Sequence, residues 1–112
     1  MTVFEKIVAR QVPAQIVHET DEIVAFRDIA PQAPTHVLII PKRPILRIAE
    51  TSKEDALLLG KLLLTATEVA RRLGLEQKGY RLVINNGPDG GEAVPHLHIH
   101  LLGGRSMNWP PG

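Results

Sequence analysis

The spacing of apolar residues changes several times along this chain, and each change marks an element. Phe4, Ile7, Val8 and Gln11 fall at helical spacing ahead of Pro13, which predicts a short amphipathic helix over about Val3 to Arg10. Gln15 to His18 and Ile23 to Arg27 are short β-prone runs separated by the polar turn Glu19-Thr20-Asp21-Glu22, so a hairpin is expected. Asp28 to Pro34 carries two prolines and reads as a loop. His36 to Ile40 is then an almost unbroken apolar run ended by Pro41, as in a central strand. Thr51 with Glu54 has the spacing of a capping box, after which Leu59, Leu62, Leu63, Ala66, Val69, Ala70 and Leu73 share one helical stripe. Arg71-Arg72 and Gly74 supply the stop. Tyr80 to Asn85 alternates as a fourth strand, Asn86 to Gly91 is a breaker-rich loop, and a fifth strand is expected from about His96 to Leu102.

The order α-β-β-β-α-β-β with short early and late links predicts an α+β domain, its helices against a five-stranded antiparallel sheet. A length of 112 residues with 44% hydrophobic content suits one core, so one domain over residues 1–112 is expected. Thirteen Lys+Arg against twelve Asp+Glu leave a net charge of +1, too small a field to argue for nucleic acid or an acidic membrane. Any phosphate must therefore be held by local groups. With no cysteine there is neither disulfide nor thiolate chemistry, and metal ligands are limited to His and carboxylate. The N-terminus lacks the basic and apolar runs of a signal peptide, and a cytoplasmic location is the expectation.

Three of the five histidines lie in His96-Leu97-His98-Ile99-His100. On a strand they emerge from one face while Leu97, Ile99 and Leu101 enter the other. A solvated polar face would be served as well by threonine, lysine or glutamate, so three consecutive same-face imidazoles beside a glycine loop point to chemistry. Zinc is one option, because strand histidines spaced i, i+2, with His36 as a further ligand, could leave a catalytic water. Few acidic residues stand near to orient such ligands: Glu92 in sequence, and Asp28 at a distance. Nucleophilic catalysis fits better. A neutral imidazole can attack phosphorus, one neighbour can fix its tautomer, and the other, protonated, can hydrogen-bond a phosphoryl oxygen or donate a proton to the leaving group. The glycine-rich segment ahead of the histidines can offer backbone N–H groups to phosphate.

His96-Leu97-His98-Ile99-His100-Leu101-Leu102 resembles the His-φ-His-φ-His-φ-φ signature of the histidine triad (HIT) superfamily, φ being apolar. Asp28 to His36, Asn85 to Gly91 and the ending Leu102 to Gly112, which closes on Trp109-Pro110-Pro111-Gly112, are similar to the histidine triad nucleotide-binding (Hint) branch. The resemblance covers essentially the whole chain. It implies a HIT-like fold whose sheet continues across a homodimer, with a tail from about residue 103 to 112 that reaches the partner subunit. It also implies binding of purine nucleoside monophosphates and hydrolysis of nucleoside 5′-phosphoramidates through a nucleotidyl-histidine, with no metal or other cofactor and no nucleic-acid or membrane partner.

Carried over by position, the resemblance implies that His98 is the nucleophile, that His100 contacts phosphate and leaving group, and that His36 and His96 support the triad. It places Asp28 on the ribose hydroxyls, and Phe4, Ile7, Phe26 and Ile29 around the base. Asn85, Gly91, Ala93 and Val94 come near phosphate and ribose, and Trp109 lies in the partner's site. The bland reading of Phe4 and Ile7 is simple core packing, that of Asp28 a loop cap, and that of Trp109 an anchor for the chain end. Gly60, costly inside a helix, would permit close packing at a dimer interface. Ala93 stands where many Hint proteins carry serine, Pro95 where tyrosine is frequent, and Arg27 and Asn108 where histidine is frequent. The alternative to an enzyme is a nucleotide-binding regulatory or scaffold protein with little turnover.

Overall fold

The computed structural model describes residues 1–112. The chain forms helix α1 (Val3–Val8), strands β1 (Ile16–Glu19), β2 (Ile23–Arg27) and β3 (Thr35–Pro41), helix α2 (Ala56–Arg72), and strands β4 (Tyr80–Val83) and β5 (Ile99–Gly103). The strands make one antiparallel sheet in the order β1-β2-β3-β5-β4. β3 is thus central, and its continuous apolar run has a direct cause. Val37 and Ile39 face a cluster with Leu62, Ala66, Val69 and Ala70 of α2, whereas Leu38 and Ile40 face Phe4 and Ile7 of α1. A strand covered on both faces has no polar side to alternate with.

Several boundaries differ from the sequence expectation. Helix α1 is two residues shorter, because Arg10 adopts φ 61°, a left-handed conformation that ends the helical path. Its start is fixed by Thr2 and Glu5, which cap each other's backbone N–H. The box before α2 is formed by Ser52 and Asp55, not by Thr51 and Glu54. A short 3-10 turn over Lys53–Asp55 shifts the helix start, and Thr51 donates instead to the Ile48 carbonyl. Leu63 is 46% exposed, so the buried stripe of α2 runs through Thr65 instead. β4 ends at Val83, two residues early.

The fifth strand begins at Ile99, not His96. Residues 96–98 keep the in-and-out alternation, with Leu97 in the α2 cluster, but the Leu97 N–H donates to the Ile45 carbonyl at 2.7 Å and not to a neighbouring strand. Two histidines of the triad therefore sit on a segment fixed by loop contacts, and only His100 lies on the strand proper. Beyond β5 the chain has no regular structure, and the Asn108 carbonyl accepts from Arg81 of β4 at 2.8 Å. β4 is an edge strand of this sheet, with one side unpaired.

Candidate active site

The face of the sheet that carries α1 also carries the histidines. His98 is 6% exposed, and its ring meets Phe4 edge-on at a centroid distance of 5.0 Å and His100 at 4.9 Å. Its Nδ1–H donates to the main-chain carbonyl of His96 at 2.6 Å. With that nitrogen committed as a donor, Nε2 of the neutral ring carries the lone pair. The chain folds so that the residue two positions earlier sets the tautomer. It does so through its carbonyl, not through an imidazole as the sequence suggested.

The His96 ring, 1% exposed, points elsewhere: its Nε2–H donates to the Pro41 carbonyl at 2.8 Å. Its Nδ1 is buried with no partner in the chain. Burial pushes the His96 pKa down, against the opposing pull of the Pro41 hydrogen bond and of Glu5. This neutral imidazole pins the triad segment to the end of β3.

A second chain of hydrogen bonds sets the other two rings. The Gln32 N–H donates to His36 Nδ1 at 3.0 Å, and His36 Nε2 lies 2.9 Å from His100 Nδ1. Because His36 Nδ1 accepts, its proton sits on Nε2 and is donated to His100 Nδ1, which leaves the His100 proton on Nε2 as a donor. Desolvation by burial lowers both pKa values, that of His100 to about 4 with help from the charges of His98 and His36. Asp28 Oδ2 stands 3.5 Å from His36 Nε2 and partly opposes the shift, while Asp28 Oδ1 accepts from the Ala30 N–H at 2.9 Å. The site thus pairs a nucleophilic nitrogen with a neutral donor.

Beside the histidines lies a cleft of about 350 Å³ lined mostly by apolar side chains, among them Phe4, Ile7, Phe26, Ile29 and Val94, with Asp28 at its edge. Ile29, 98% exposed, forms an open lip. Of the positions singled out in the sequence, the four histidines, Asp28, Phe4, Ile7, Phe26, Ile29 and Val94 therefore come together. Gly91 and Ala93 are exposed on the loop ahead of the triad, and Asn85 is partly buried just beyond β4. Trp109 is 82% exposed and does not line this cleft, and a Cβ added to Gly60 would meet nothing within 4 Å.

A metal would find donors in Asp28, His36 and His100, whose ligand atoms all lie within 4.8 Å of one another. That set differs from the strand-histidine set considered on the sequence, since His96 Nε2 and His98 Nδ1 are taken up by carbonyls. Two groups near the site escaped the sequence reading. Gln32 acts through its backbone N–H, which no side-chain pattern reveals. The ion pair of Arg47 with Glu92 joins residues 45 positions apart.

Comparison with known proteins places this arrangement. The model of the HIT domain matches residues 9–107. A 14 kDa zinc-binding protein of Zea mays is 51% identical over 113 residues, covering 99% of this chain and 88% of its own. The crystal structure of a HIT family hydrolase from Legionella pneumophila Philadelphia 1 superposes with a TM-score of 0.98 at 50% identity, over 100% of both chains. That of a histidine triad nucleotide-binding protein from Candida albicans superposes with a TM-score of 0.84 at 29% identity, over 98% of this chain and 83% of the other. The fold, the histidine signature and these matches together show that the chain belongs to the HIT domain family.

Proposed function

We propose that this protein is a hydrolase that binds purine nucleoside monophosphates and cleaves the P–N bond of nucleoside 5′-phosphoramidates through a nucleotidyl group carried on His98. The observation that carries the reading is the tautomer of His98: Nδ1–H is held by the His96 carbonyl, so Nε2 is a nucleophile already in the required form. In the first step His98 Nε2 attacks phosphorus and the P–N bond breaks. The leaving nitrogen takes a proton from solvent and the amine departs neutral, while the His100 Nε2–H donates a hydrogen bond to the phosphoryl oxygen. In the second step water attacks phosphorus and returns a proton to solvent, and the bond from phosphorus to Nε2 breaks to release the nucleoside monophosphate. His36 holds His100 in the donor tautomer at both stages.

The apolar cleft suits a base, and the Asp28 carboxylate at its edge suits the ribose hydroxyls. The name of the Candida albicans structure agrees with nucleotide binding, and that of the Legionella pneumophila structure with hydrolysis. A homodimer belongs to the same reading. It is supported by the unpaired edge of β4 together with Leu57 at 72%, Leu64 at 69% and Trp109 at 82% exposure, which a second subunit would cover. The test is release of AMP from an adenosine 5′-phosphoramidate, with EDTA present, by the wild type and by His98→Ala. Turnover by the wild type alone supports the reading. Binding of AMP without turnover by either protein replaces the hydrolase with a binding module, and turnover only without EDTA assigns a metal to the chemistry.

A further inference from the structure

The loop ahead of the triad is tied to one short stretch of chain at three successive points. The Leu97 N–H donates to the Ile45 carbonyl at 2.7 Å, Arg47 pairs with Glu92, and the Ala49 N–H donates to Asn86 Oδ1 at 2.8 Å. The middle tie is the strongest in form. Arg47 Nε and Nη2 reach the two Glu92 oxygens at 2.9 and 3.1 Å, a two-pronged pairing that fixes the carboxylate in plane as well as in distance. Glu92 also accepts from the Gly87 N–H at 3.0 Å, and its own N–H donates back to the Gly87 carbonyl at 3.1 Å. The third nitrogen of the guanidinium, Nη1, is held by Glu50 at 2.9 Å. The Glu92 side chain is only 11% exposed, and Arg47 holds its carboxyl at a pKa of about 2, with Gly87 as the second cause.

Within this loop the N–H groups of Gly90, Gly91 and Glu92 are all satisfied internally, as is that of His96 by the Val94 carbonyl. The two between, of Ala93 and Val94, donate to no acceptor in the chain. They follow Glu92 directly, and the Val94 side chain lines the apolar cleft. A pair of adjacent free amides between a clamped carboxylate and a nucleophilic histidine is a receptor for phosphoryl oxygens.

We propose that the Arg47–Glu92 pair is a positioning device that holds the Ala93 and Val94 N–H groups as the donor pair for the substrate's phosphoryl oxygens. The inference rests on the nucleotide-binding reading above, but not on turnover. Arg47 also offsets the Glu92 charge, which would otherwise repel an incoming phosphate. Neither residue touches substrate.

The test uses binding, which separates the loop from the base and ribose contacts. The full-length wild type, Arg47→Met and Glu92→Gln are titrated with AMP and with adenosine, which lacks the phosphate. For Arg47→Met the AMP affinity falls about tenfold while adenosine binding is unchanged, a loss on the scale of one charge-assisted hydrogen bond. Glu92→Gln, which keeps the shape and one acceptor, loses roughly threefold on AMP alone and carries the test if the Arg47 variant does not fold. Equal losses for both ligands would make the pair merely structural and overturn the proposal, as would AMP binding that survives both substitutions. A wild type that binds AMP no better than adenosine removes the phosphate site itself, and the clamp with it.

Discussion

Phe4 joins the fold to the chemistry, and replacing it perturbs both. Its ring is 6% exposed, packs on Phe26 edge-on at 5.5 Å, and forms one wall of His98 at 5.0 Å. Helix α1 has six residues, too few to hold itself together, so its docking depends on Phe4 and Ile7. Truncating a buried Phe to Ala costs about 3–5 kcal/mol, of which an aromatic pair supplies roughly 0.5–1.5 kcal/mol beyond the buried area. For a domain of this size the lower part of that range corresponds to a fall of roughly 10–20 °C in melting temperature. Thermal unfolding followed by circular dichroism measures it. Phe4→Leu, which refills most of the volume, recovers more than half of the loss. A Phe4→Ala protein that melts within about 3 °C of the wild type would refute the reasoning, since that ring would then be a spectator.

Three further outcomes follow from particular residues. Burial depresses the pKa values of His36, His96 and His100 below the unfolded 6.5, so between that value and about 4 for His100 the unfolded chain binds more protons. Stability is therefore full above about pH 6.5 and falls with decreasing pH through this window. Melting at pH 7.5 and pH 4.5 differs by roughly 5 °C or more, and His100→Asn flattens the profile. A Cβ on Gly103 would stand 2.7 Å from Leu75 Cδ1, so Gly103→Ala costs about 1–3 kcal/mol in denaturant unfolding, and adding Leu75→Ala makes the second substitution cheaper than it is alone. Ala93→Ser, which adds a hydroxyl beside the free amides, raises kcat/KM on phosphoramidates by up to roughly tenfold, the scale of one neutral hydrogen bond.

The sequence displayed its elements wherever one period persisted. The run through β3 located the core by its unbroken apolar length, and the stripe on α2 by its helical period. Overlapping signals were harder. Thr51-x-x-Glu54 and Ser52-x-x-Asp55 are equivalent boxes one residue apart, and only the intervening 3-10 turn selects the second. The alternation through His96 and His98 looks the same whether the backbone bonds to a strand or, as here, to Ile45. Period two thus located the histidine face but not the strand start.

At the site, the residue types were legible and their protonation was not. The tautomers are set by the carbonyl of His96, the amide of Gln32 and the carbonyl of Pro41, main-chain groups that every residue carries. Glu92 stands out as an acid near the histidines in sequence, but its pairing with Arg47 spans 45 positions, and nothing marks Arg47 in a chain with 22% charged residues. The family resemblance implies a ribose contact for Asp28, whereas its 3.5 Å approach to His36 depends on the return of the loop after β2.

The account stands or falls on His98 Nε2 as the atom that carries the nucleotide. The wild type, mixed briefly with an adenosine 5′-phosphoramidate, is quenched under mildly alkaline denaturing conditions that preserve phosphorus–imidazole bonds, digested, and examined by mass spectrometry. The account predicts one adenylyl group on the peptide containing His98, released as AMP when the quench is acidified, and none in His98→Gln. Rapid turnover with no adduct at His98, or an adduct on His96 or His100 that survives the substitution, would contradict it.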